Sequence, residues 1–164
     1  MSTPSLEARI RDLADRAAIR DLANRYAHCI WRQDFAGAVA LFAEDGVMDT
    51  GDRAPIRGRE ALLEAYREML EGADLQPFVH NHVIELNGDH ATGNCYLDLR
   101  GSVEGRSMIG AGYYDDEYVR VGGEWKFRSR KLTMCHFVPL SQGWVESGSD
   151  TRPGGSAAIG RSET

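Results

Sequence analysis

Two histidines separated by one residue, in "FVHNHVIEL" (Phe78 to Leu86), are the first side chains whose type and spacing could do chemistry. Near neutral pH, imidazole is the group best matched to taking and returning a proton. If the stretch is a strand, alternation puts His80 and His82 on one face with Phe78, Ile84 and Leu86. Val79, Asn81, Val83 and Glu85 then take the other face. Histidines aimed at an apolar interior still need partners for their ring nitrogens. Two readings follow: a general base in a pocket, or structural histidines that are buried or turned outward by a bulge. His80 lies nearer the strand start.

A second concentration is "RYAHCIWRQDF", Arg25 to Phe35. On a helical wheel with Tyr26 at zero, Ile19, Ala23, Ala27 and Ile30 fall between roughly 20° and 100°. Trp31 falls near 140° at the edge of that stripe, while His28 near 200° and Cys29 near 300° fall outside its centre. Tyr26 and Trp31 are therefore expected inward and His28 outward. An indole has one donor and no useful acid–base chemistry, so Trp31 suits a wall. Cys135 and His136 are adjacent, but neighbours on a strand point to opposite faces, which discounts a nucleophile pair. His90, beside an "NGD" turn, reads as exposed.

No HExxH, paired-cysteine, GxGxxG or GxxxxGK[ST] pattern occurs, so neither a metal nor a nucleotide cofactor is expected. A net charge of −6 argues against a nucleic-acid partner. No apolar run reaches the roughly 20 residues a membrane span needs. Three scattered cysteines and an N-terminus without an apolar signal segment suggest a cytoplasmic protein with reduced thiols.

The elements that must position these groups are legible in outline. Leu6 to about Trp31 reads as a helix, with Leu13, Ile19, Leu22, Ala23, Tyr26, Ala27 and Ile30 as its apolar stripe. Asp34 caps a short second helix, and "GREALLEAYREML" after Gly58 is a third, ending near Gly72. The second half changes period. "FVHNHVIEL", "HATGNCYLDL", "RSMIGAGYYDDEYVRV" and "WKFRSRKLTMCHFVPL" read as strands, with "NGD" and "VGGE" as turns. Helices followed by antiparallel strands make an α+β domain over residues 1–140. Residues 141–164 form a Gly- and Ser-rich extension.

The order of "RAAIRDLANRYA", "ALFAEDGV", "IRGREALLEAYREM", "NHVIELNGDHATGNCY", "GAGYYDDEYVR" and "GGEWKFRSRKL" resembles the SnoaL-like branch of the nuclear transport factor 2-like superfamily, across roughly residues 7 to 140. The resemblance implies a cone-shaped, curved antiparallel sheet wrapped around the long helix, with a pocket between them. It implies cofactor-independent proton abstraction coupled to elimination or isomerisation, on a hydrophobic, aromatic or polycyclic small molecule. Members include dehydratases, a dehydrochlorinase and non-catalytic modules. By this resemblance Tyr26 and Arg130 stand at pocket positions, and Tyr114 and Asp116 line the pocket. Met48, Leu97, Leu99 and Met134 would supply apolar lining. Tyr26 and Arg130 would hold an oxygen of the substrate, Arg130 meeting a phenolate, carboxylate or developing oxyanion, and His80, His82 or Asp116 would be the base. The sequence departs from the family where dehydratase-type members keep an aspartate and its partner histidine: those positions are Trp31 and Pro77. This departure supports the rival reading, a ligand-binding or subunit-assembly module, including a dioxygenase small-subunit role. Family habit also implies a homodimer or homotrimer formed through the outer sheet face.

Overall fold

The computed structural model describes residues 5–143. Most of the expected C-terminal extension therefore lies outside the described residues. Helix α1 runs from Leu6 to Trp31, α2 from Phe35 to Ala40, and α3 from Arg59 to Met69. Strands β1 (Phe42–Asp49), β2 (Ile56–Arg57), β3 (Asp74–Asn87), β4 (His90–Val103), β5 (Arg106–Val121) and β6 (Glu124–Pro139) complete the chain. They form one curved, unclosed sheet in the order β2-β1-β6-β5-β4-β3. The sheet is mixed, which corrects the antiparallel expectation: β1 runs parallel to β6, with Met48 level with Arg130. The other pairs are antiparallel.

Local sequence explains the joints. Ser5 caps α1 by accepting from the Ala8 N–H. The chain leaves α1 through Gln33 at φ 55°, and Asp34 then caps α2 by accepting from Gly37. The β5–β6 turn needs positive φ at both central residues, and Gly122 and Gly123 supply it without a Cβ clash. No helix among the described residues is long and apolar enough to cross a membrane.

The core lies between the C-terminal half of α1 and the inner face of the sheet. Ile19, Leu22, Ala23, Tyr26, Ala27 and Ile30 are buried there, as the wheel requires. Leu13 does not join them. It is 67% exposed, with Leu6 at 70% and Ile10 at 57%. At about 100° per residue, Leu6, Ile10, Leu13 and Ala17 share the side of the helix opposite Ile19. The apolar stripe thus changes sides midway along α1. On the inner side, the first half of α1 carries polar anchors. Arg16 donates to the Ile84 carbonyl at 2.6 Å, and Asp15 accepts from Trp125 and pairs with Arg120.

Two of the sheet's bulges decide what it presents inward around Arg130 and His82. In β3, His80 pairs with Tyr96 and Val83 with Asn94, so Asn81 and His82 together face the single residue Cys95. Asn81 takes φ 45°, a conformation asparagine tolerates better than most residues. In β6, Phe127 pairs with Tyr118 and Ser129 with Glu117, leaving Arg128 as the extra residue. Each bulge shifts the inward parity by one position. Pro77 and Val79 face in before the first bulge, His82 and Ile84 after it. Trp125 and Phe127 face in before the second, Arg130 after it.

Candidate active site

At the middle of the inner face, Arg130 and Asp116 are buried together, 0% and 3% exposed. Arg130 Nε donates to Asp116 Oδ1 and Nη2 to Oδ2, both at 2.8 Å, the fork geometry of a bidentate pair. The guanidinium lies against three rings: Tyr114 at 3.9 Å from its centroid, Phe127 at 4.1 Å and Tyr26 at 4.5 Å. Burial alone would lower the arginine's pKa. The charge and hydrogen bonds of Asp116 outweigh that and hold it well above its ordinary value. Arg130 Nη1 is buried with no acceptor among the described residues. Strand β5 supplies three inward residues in succession, Tyr114, Asp116 and Tyr118, because alternation runs unbroken there.

From this pair a chain of hydrogen bonds leads outward. The Tyr118 hydroxyl donates to Asp116 Oδ2 at 2.8 Å, and His82 Nε2 lies 2.8 Å from the same hydroxyl. Tyr118 has one hydroxyl hydrogen, and Asp116 takes it. The Tyr118 oxygen must then accept, so His82 carries its proton on Nε2. That leaves Nδ1 with a lone pair and no protein partner among the described residues. Burial pushes the His82 pKa down to about 4, Arg130 and Arg20 push the same way, and Asp116 opposes them. The imidazole is therefore neutral at physiological pH. Gly93 makes the contact possible: a Cβ there would stand 2.7 Å from the Val83 carbonyl oxygen, 3.2 Å from His82 Nε2 and 3.3 Å from a Tyr118 ring carbon.

His82 opens onto a groove between α1 and β3. One part, about 250 Å³, is lined by residues including Arg20, Ala23, Asn24, His82 and Cys95. An adjoining part, about 420 Å³, shares Asn24, Val79 and His80 and continues past Ala27 to Trp31, Arg32 and Phe78. Burial lifts the Cys95 pKa to about 11, so it is a neutral thiol and not a thiolate nucleophile.

Several expectations need correction. His80 does not share the face of His82, because the Asn81 bulge intervenes. It is exposed and stands 3.3 Å from Asp98, itself exposed. Phe78, expected inward with the histidines, keeps the side of His80, away from the face of His82, and stacks edge-on with Trp31 at 5.2 Å. Trp31 is 41% exposed and lies over β3 as a wall of the groove, not inside the cone. Its indole nitrogen donates to the Pro77 carbonyl at 2.8 Å. The two positions where the resemblance places an aspartate and a histidine thus do meet, but through an indole and a backbone oxygen. Tyr26, Met48, Leu97 and Tyr114 are buried in the core, and Met134 packs against it half-buried. The Tyr26 hydroxyl bonds to that of Tyr66 at 2.9 Å, and burial pushes the pKa of each phenol up. Their rings fill the middle of the cone with Phe42 and Phe127, where an open apolar pocket was expected. Tyr66, Tyr118 and Gly93 escaped the sequence reading. For Tyr118 a signal existed, since it continues the alternation of Tyr114 and Asp116 on β5.

Among the described residues no group of three or more His, Cys, Asp or Glu side chains is placed to hold a metal ion. The comparison with curated proteins finds no match. Among solved structures, a variant of Rv3472, a protein of unknown function from Mycobacterium tuberculosis, is 28% identical over 76% of this chain and 73% of its own, at a TM-score of 0.70. Hexachlorocyclohexane dehydrochlorinase LinA-type3 from Novosphingobium barchaimii is 23% identical over 81% of this chain and 94% of its own, at 0.75. A putative scytalone dehydratase from Novosphingobium aromaticivorans is 22% identical over 93% and 97%, at 0.70. These last two likenesses speak to the fold. A family model for the SnoaL-like domain matches residues 11–131, which span the helix carrying Arg20, the bulge carrying His82 and the strand carrying Arg130. The chain belongs to the SnoaL-like domain family.

Proposed function

We propose that this chain is a cofactor-independent lyase or isomerase that works from the α1–β3 groove with His82 as its base. The observation that supports the reading is the chain His82–Tyr118–Asp116–Arg130, which keeps the imidazole proton on Nε2 and leaves Nδ1 as a neutral acceptor on a ring that lines the groove. In the step, Nδ1 takes a proton from a substrate carbon. The C–H electron pair becomes a new double bond as the leaving group departs with its own electrons, or the proton returns at another carbon. The imidazolium keeps its Nε2–H bond to Tyr118, with the Asp116 carboxylate one hydroxyl away. Arg130 is a positioning residue in this scheme, fixing both oxygens of Asp116. Because burial disfavours the imidazolium, His82 is a weak base. The substrate must therefore have an acidified C–H or a leaving group that departs without acid. The dehydrochlorinase and the putative scytalone dehydratase among the similar structures are named for eliminations.

The test is nuclear magnetic resonance in heavy water over halogenated cyclohexanes and hydroxylated cyclic ketones. Deuterium wash-in or elimination is expected from the native chain. His82→Gln should lower it by about 10²–10⁴, the usual contribution of a general base. A His82→Gln chain that turns over like the native one would sink the assignment.

A second reading, a non-catalytic ligand-binding or assembly module, is favoured by the Trp31–Pro77 hydrogen bond and the ring-filled cone. It predicts ligand binding with no exchange at any C–H of the panel.

A further inference from the structure

Resting on the groove assigned above, we infer that it takes an aryl carboxylate of about two-ring length. The carboxylate meets Arg20 beside His82, and the rings lie along Ala27, Val79 and Phe78 toward Trp31.

The first argument is charge. The chain carries 25 acidic against 19 basic side chains, yet no Asp or Glu is among the residues that line either part of the groove. Arg20 stands at one end and Arg32 at the other. Neither guanidinium has an ion pair or side-chain hydrogen bond among the described residues, unlike Arg16, Arg120 and Arg130. The carboxylate that does pair with a lining residue, Asp98, faces His80 from the neighbouring strand. An unpaired guanidinium matches a carboxylate in two parallel hydrogen bonds. Asn24, one helical turn from Arg20, adds an amide that can donate.

The second argument is shape. Beyond Asn24 the groove is lined by Ala27, His28 and Trp31 from the helix, with Arg32 at the far end, against Val79 and Phe78, the last stacked edge to face with Trp31. Arg20 and Ala27 are seven residues apart, so about 10 Å along the helix separates the charged end from the apolar floor. That spacing fits an anion carried on a fused or extended aromatic system better than a compact ion such as acetate. A rim tryptophan that keeps 41% of its surface exposed has a ring face left to cover.

Titration calorimetry at low salt with 2-naphthoate, 2-naphthamide and acetate tests this. Naphthoate should bind at least tenfold tighter than either of the others. Arg20→Gln should remove most of that difference, and Trp31→Ala should weaken naphthoate severalfold. Arg9→Gln, which removes the same charge from the exposed first half of α1, should leave binding unchanged. Equal affinity for naphthoate and naphthamide, or an Arg20→Gln loss no greater than that of Arg9→Gln, would overturn the inference. Binding and turnover are read separately. Naphthoate binding without C–H exchange anywhere refutes the lyase reading alone, while turnover of neutral substrates with no naphthoate preference refutes only the anion site.

Discussion

His82 holds its proton on the nitrogen facing Tyr118, so the informative substitution keeps a donor there and removes the base. Glutamine does this, which makes His82→Gln sharper than alanine. His90→Gln is the matched control and should change kcat/KM by less than about threefold, because that exposed ring stands at the β3–β4 turn, away from the groove. With burial holding the His82 pKa at about 4, kcat/KM should stay level from neutral pH downward and fall only as pH passes about 4. An acidic limb near the ordinary imidazole value of 6.5 would place the base elsewhere. The buried pair gives a separate forecast. Asp116→Asn leaves Arg130 uncompensated among three rings and should cost about 3–5 kcal/mol in chemical denaturation. Asp116→Leu with Arg130→Met should recover much of that stability, since replacing both members of a buried pair by apolar groups is often neutral.

At the scale of elements, the parts that could be read from sequence were those governed by local periodicity. The bounds of β5 and the "NGD" and "VGGE" turns follow directly from composition, as does the Gly58 start of α3. The facing of side chains did not, because it depends on single extra residues that no pattern of alternation announces. Asn81 moved His80 out and His82 in, and Arg128 brought Arg130 inside. The helical stripe was misjudged at Leu13 for a related reason. The first half of α1 extends past the core, so its apolar residues are free to face away. Leu13→Ser should then shift the melting temperature by no more than a degree or two, whereas Ile19→Ala, at a fully buried position, should cost about 2–5 kcal/mol. Gly93→Ala should push the His82 ring off Tyr118 toward solvent, and the relief of its burial should raise the His82 pKa toward 6.5, measurable by the titration of its ring protons.

For the whole molecule, His82 also links stability to pH. In the unfolded chain it binds a proton near 6.5, in the folded chain only near 4. Its contribution is complete above about pH 6.5 and is lost as the pH falls toward 4. Urea midpoints measured across that window should decline for the native chain and decline less for His82→Gln. The filled cone also lay beyond sequence reasoning. Tyr26, Tyr66 and Phe127 come from three separate elements, and only their meeting shows that the space is taken. The outer face of the sheet leaves Val83 and Tyr96 exposed, where a homo-oligomer would form its contact. Sedimentation equilibrium decides between that expectation and an 18.2 kDa monomer.

The bulge at Asn81 carries a consequence for chain length. In a strand, losing one residue ordinarily swaps every later side chain to the opposite face. Here the deletion of Asn81 would restore one-to-one pairing, with His82 opposite Cys95 and both flanks in their present register. That position is the place in β3 where the protein can shorten by one residue and keep its inside inside. A relative with one residue fewer at this point can present the same histidine, and counting positions from the strand start would assign it the wrong one.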